Sequence, residues 1–101
     1  MKIITVCGSL RFIKEMLQIA EKLELEGNSV LLPVYNPNKN KDAFNSDEIL
    51  MLSKMHKEKI KLSDAVLVVN VDGYIGNSTK DEMEFAKKLN KEIIYYTDLE
   101  K

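Results

Sequence analysis

The chain contains one cysteine, one histidine and no apolar run long enough to cross a bilayer. Each shortage removes a class of protein. With Cys7 alone there is neither an internal disulfide nor a cysteine-built zinc cluster, and Cys7 itself reads as a small buried apolar residue at a strand end. With His56 alone, any Ser-His or Cys-His nucleophile pair has to use that residue, and no serine or cysteine sits in an elbow-type turn. An excess of one charge is missing too. Fifteen basic and sixteen acidic residues leave a net charge of -1, which argues against a nucleic-acid partner. No basic stretch followed by an apolar one opens the sequence, so the expectation is a cytoplasmic protein with no membrane partner.

What is present is an ordinary globular composition, 45% hydrophobic and 31% charged over 101 residues, suited to a single domain spanning 1–101. The apolar pattern alternates between two kinds of segment. Lys2 to Cys7, Ser29 to Leu32, Ala65 to Val69 and Ile93 to Tyr96 are short runs of the kind that form strands of a parallel sheet. Between them lie helical spacings. Phe12, Met16, Ile19 or Ala20, and Leu23 predict a helix over residues 10–26, with Gly27 at its left-handed C-terminus. Asn45 with Glu48 three residues later starts a second helix, whose inner stripe is Ile49, Leu52, Met55 or His56, and Ile60, and which ends near Leu62. A third helix follows the loop GYIGNST, with Ser78 or Thr79 as its cap. Strand and helix in alternation give an α/β three-layer sandwich, flavodoxin/Rossmann-like, with four parallel strands in the order 2-1-3-4. The segment YNPNKNKDAFNSD is polar and too long for an ordinary connection, which marks it as a binding lid or a disordered stretch.

In that order the first and third strands are neighbours, so the loops CGSLR and NVDGYIGNST face each other across one crevice. Gly8 and Ser9 open a helix whose free N–H groups and dipole favour an anion, and Arg11 adds a permanent charge. The plain alternative is a tight turn at Gly8, a cap at Ser9 and a solvated arginine. Glu82 also has two readings. With Thr79 as N-cap it completes a capping box; on the stripe shared with Ala86 and Leu89 it leans toward the sheet as a ligand-binding or catalytic carboxylate. His56 falls on or beside the buried face of its helix, as a hydrogen-bonded core residue or as a catalyst.

CGSLR, followed much later by SDAVLVVNVDGYIGNSTKDEMEFAKKLNKEIIYY, resembles the nucleoside 2-deoxyribosyltransferase-like superfamily, nearest to its 2'-deoxynucleoside 5'-monophosphate N-hydrolase branch. The resemblance implies that Glu82 is the nucleophile that attacks the anomeric carbon and displaces the base. It implies that Gly8, Ser9 and Arg11 hold the 5'-phosphate, with Ser78 reaching it from a neighbouring subunit. Asp72 and Gly76, in the same loop as Ser78, join the candidate ligand-binding residues. Two positions depart from the family pattern: His56 stands where an aspartate protonates the leaving base, eight residues before Asp64, and Thr5 stands where the hydrolase branch has a tyrosine. His56, Asp72 or Tyr74 is then left to supply the proton. Such chemistry needs no metal and no cofactor. A homodimer is expected, with Met51, Met55 and Leu62 available for the contact. The rival expectations are a nucleotide-binding module of the same fold without turnover, and a small assembly protein whose crevice is incidental.

Overall fold

The structure, a computed structural model, describes residues 1–100. Its strands are β1 (Ile3–Cys7), β2 (Ser29–Leu31), β3 (Ala65–Val68) and β4 (Glu92–Tyr95), and its helices are α1 (Ile13–Leu25), α2 (Ser46–Leu62), α3 (Asn77–Lys88) and the short α4 (Tyr96–Leu99). The sheet is entirely parallel in the order β2-β1-β3-β4, as the alternating pattern requires. Its two central strands are covered on both faces, so β3 is buried at every position. Ile4, Val6, Ala65, Leu67 and Val69 point to one face and pack on Met16, Ile19 and Leu23 of α1. Cys7 and Val66 point to the other and pack on Ile60 of α2 and Ala86 of α3. Thr5 shares that second face, where its hydroxyl meets Ser63 and donates to the Lys59 carbonyl at 3.1 Å, which ties the end of α2 to the sheet. No helix among the described residues is long and apolar enough to cross a membrane.

Local signals decide most boundaries. Asn45 and Glu48 form the expected capping box: the Asn45 side chain accepts from the Glu48 N–H at 2.8 Å, and the Glu48 carboxylate accepts from the Asn45 N–H at 2.9 Å. Gly27 ends α1 at φ 96, in the left-handed region. The helix expected over 10–26 opens instead with a tight 3-10 turn, Leu10–Phe12, which Ser9 caps by accepting from the Arg11 N–H at 3.3 Å.

The third helix differs more. It starts at Asn77 with Gly76 as N-cap, so Thr79 lies inside the first turn, buried, and the Thr79–Glu82 capping box does not exist. Leu89 caps the other end at 40% exposure rather than continuing the inner stripe, because Asn90 turns the chain with φ 58. The inner stripe of α2 is also shorter than its spacing suggests. His56 and Ile60 are buried, but Ile49 is 45% exposed, since the first turns of α2 lie beside an open crevice rather than on the sheet.

Candidate functional site

At the carboxyl ends of β1 and β3 the chain leaves a crevice of about 850 Å³. This is the place where a parallel sheet flanked by helices exposes loop residues from neighbouring strands to one ligand. Gly8 is what lets the first loop lie against β3. A Cβ there would stand 3.1 Å from the Met16 Cε, 3.2 Å from the Val69 carbonyl oxygen and 3.3 Å from the Val69 Cβ. Ser9 and Arg11 follow on the crevice wall, and the exposed Arg11 guanidinium lies 4.3 Å from the centre of the Tyr74 ring. Tyr74 in turn meets Phe12 edge-on, with centroids 5.9 Å apart, so the two loops are joined over the crevice by an aromatic contact and a cation.

Gly76, Ser78 and Glu82 from the α3 side also line the crevice, as does His56 from α2. Asp72 does not. It is exposed in the turn Val71–Gly73 at φ 54, outside the crevice lining. The long polar segment after Pro33 forms part of the wall through Tyr35, Lys39 and Phe44, three residues whose part in the site the sequence pattern did not single out.

The deepest chemistry is a cluster drawn from three elements. Cys7 closes β1 and is fully buried, His56 is 6% exposed, and the Glu82 side chain is 17% exposed. The Cys7 Sγ lies 3.5 Å from His56 Nε2, and His56 Nε2 lies 3.7 Å from Glu82 Oε1. His56 Nδ1 is buried with no partner among the described residues. Cys7 is buried at the end of its strand, as its sequence position suggests, and it also meets His56 there. The available signal was its placement directly before Gly8, on the same sheet face as Thr5.

Burial governs the charges here. Removal from water pushes the Glu82 carboxyl up from 4.5 to about 7, although the Cys7 thiol and the Lys57 ammonium pull it partway back. Burial, aided by the Lys59 cation, lowers His56 from 6.5 to about 4. The Cys7 thiol is raised well above its ordinary value, first by burial and then by Glu82. At neutral pH the imidazole is therefore uncharged, the thiol is protonated and the glutamate is poised between its two forms. The close approach of His56 and Glu82 is a contact of a neutral ring with a carboxyl group, not an ion pair.

Compared with protein-family models and with curated proteins, the chain matches no family model and has no significant match among the curated proteins.

Proposed function

We propose that the crevice takes a nucleoside or deoxynucleoside 5'-monophosphate and that Glu82 breaks or transfers its N-glycosidic bond, in the manner of the nucleoside 2-deoxyribosyltransferase-like enzymes that the sequence resembles. The observation that carries this reading is the position of Glu82. It is a mid-helix carboxylate with no capping duty, largely buried, on the wall of the same crevice as Gly8, Ser9 and Arg11. A carboxylate shielded from water loses the hydration that would blunt it as a nucleophile. Attack on the anomeric carbon forms a glycosyl ester with Glu82 while the C–N electron pair leaves with the base. Water or a second base then takes the sugar and frees the carboxylate, so that one hard displacement becomes two easier ones. The first-loop N–H groups and Arg11 receive the phosphate at the other end of the substrate.

The proton for the departing base is the step in which this chain differs from the family. His56 is neutral at physiological pH and carries no spare proton as an imidazolium. Tyr74 lines the crevice and Asp72 does not, so Tyr74 is the better placed of the two loop residues. Thr5 does not replace the family tyrosine, because its hydroxyl is engaged with Ser63 and the Lys59 carbonyl inside the core. These two differences favour a second reading, a cytoplasmic nucleotide-binding module of the same fold without turnover. In either reading the protein acts as a homodimer through the exposed apolar residues of α2, Met51 and Leu62 among them, at 55% and 70% exposure. Incubation with a panel of ribo- and deoxyribonucleotides, with chromatographic detection of free base, separates the two. Base release that disappears in Glu82→Gln supports the glycosidase, and tight binding without release supports the module.

A further inference from the structure

Hydrogen bonds account for part of the cluster formed by Cys7, His56 and Glu82, since the Cys7 thiol bonds both His56 Nε2 and the Glu82 carboxyl, but they leave the approach of His56 to Glu82 unexplained. Nε2 of His56 faces both partners, at 3.5 Å from the sulfur and 3.7 Å from the carboxylate oxygen, and the second of these is too long for a hydrogen bond. Both separations also suit a shared ion. A tetrahedral zinc with bonds of about 2.3 Å to sulfur and about 2.0 Å to nitrogen or oxygen sets its ligand atoms roughly 3.6 Å apart along an S–N edge and roughly 3.3 Å along an N–O edge. All three donor atoms lie within 4.8 Å of one another.

Each donor is also held independently. Cys7 is fixed by the sheet, with its neighbour Thr5 bonded to the end of α2, and the other two stand on separate helices packed against that sheet face. His56 is 94% buried, from an exposure of 6%, and its Nδ1 has no hydrogen-bond partner among the described residues, so Nε2 holds the ring to the cluster through Cys7. Glu82 lines the crevice, which leaves a path for an ion and an open fourth position for water.

We propose that Cys7, His56 and Glu82 form a binding site for one thiophilic divalent cation of the zinc class, and that a filled site withdraws Glu82 from reaction with substrate. Thiolate, imidazole and carboxylate together select zinc or cobalt over magnesium or calcium, which prefer oxygen alone. Binding releases to solvent the thiol proton and whatever proton Glu82 carries, so that the metal is ligated by thiolate and carboxylate. His56 Nδ1 has no acceptor among the described residues, and loss of such a partner commonly costs about 10- to 100-fold, so the affinity is expected below that of a structural zinc site, roughly micromolar. The ion is then a reversible occupant of the site. Only the inhibitory consequence rests on the glycosidase reading; the binding site does not.

Cobalt(II) titrated into chelator-stripped protein tests the site by absorption. The expected result is saturation at one equivalent per chain, with a near-ultraviolet thiolate-to-cobalt band and a half-point in the micromolar range. Cys7→Ser should abolish that band, and His56→Gln and Glu82→Gln should each weaken binding at least tenfold, with circular dichroism confirming that the variants are folded. If Cys7→Ser does not fold, the other two variants carry the same test. Absence of the band up to millimolar cobalt overturns the proposal, as does a band insensitive to His56→Gln and Glu82→Gln. Base release, assayed with chelator and then with zinc, keeps the two readings apart: no release in chelator counts against the glycosidase while the cobalt band still establishes the ion site. Release that zinc leaves unchanged at a saturating concentration overturns the inhibitory half.

Discussion

Replacing Glu82 with glutamine should make the protein more stable and less active at once, and the stability change has a pH dependence set by burial. In the unfolded chain the carboxyl ionises at 4.5, whereas in the folded protein it ionises at about 7. Below pH 4.5 it is protonated in both states and contributes no penalty. Between pH 4.5 and 7 the unfolded chain loses this proton while the folded protein keeps it, so stability falls as pH rises. Above 7 both states are ionised and the loss is complete. At about 1.36 kcal/mol for each pH unit separating the two values, the cost at pH 8 is about 3 kcal/mol, with the 17% exposure of the side chain trimming it. A glutamine of the same shape stays neutral throughout and avoids it. Urea denaturation of both proteins in the presence of a chelator should therefore give matching stabilities near pH 4 and a more stable variant at pH 8, by about 2 to 3 kcal/mol. For a domain of this size that corresponds to a rise in Tm on the order of 10 °C or more. Base release by the same variant should fall by several orders of magnitude if Glu82 is the nucleophile. A variant no more stable than wild type at pH 8 would show that the carboxylate is well solvated, and the argument from burial would fail.

Arg11→Ala should erase most of the preference for a nucleoside 5'-monophosphate over its nucleoside, about ten- to a hundredfold for one charge-assisted contact, while nucleoside affinity changes little. Calorimetric titration of both ligands into both proteins checks it, and equal affinity of wild type for the two would remove the phosphate from the first loop. Gly8→Ala should destabilise the protein by about 1 to 3 kcal/mol in denaturant titration, because the new methyl meets the Val69 carbonyl at 3.2 Å, a backbone atom of a residue whose own N–H is bonded to the Cys7 carbonyl at 2.8 Å. Light scattering at micromolar concentration should report a dimer, and Leu62→Glu on the exposed face of α2 should shift it toward monomer without unfolding the chain.

The order of the sheet was legible because it follows from periodicity and handedness alone. Ala65 to Val68 is apolar at every position, the pattern of a strand covered on both faces, and right-handed crossovers leave few ways to arrange four parallel strands. The start of α2 was legible for a local reason, since Asn45 and Glu48 satisfy each other within one turn. Thr79 and Glu82 have the same spacing and compatible chemistry, yet they form no box. What separates the two cases lies outside the segment: Thr79 is drawn into the interior, the helix starts at Asn77, and Glu82 is left mid-helix beside the crevice.

The sequence by itself therefore determined the architecture, the two loops that meet at the switch point and the candidacy of Gly8, Ser9, Arg11 and Glu82. Only the tertiary structure decided that Asp72 lies outside the crevice lining, that the polar segment after Pro33 helps to wall it, and that Cys7, His56 and Glu82 converge. The physical reason is one of range. Strand and helix formation depend on neighbours a few residues away, whereas a contact between Cys7 and His56 spans 49 positions, and the protonation of Glu82 depends on how much water the assembled fold excludes.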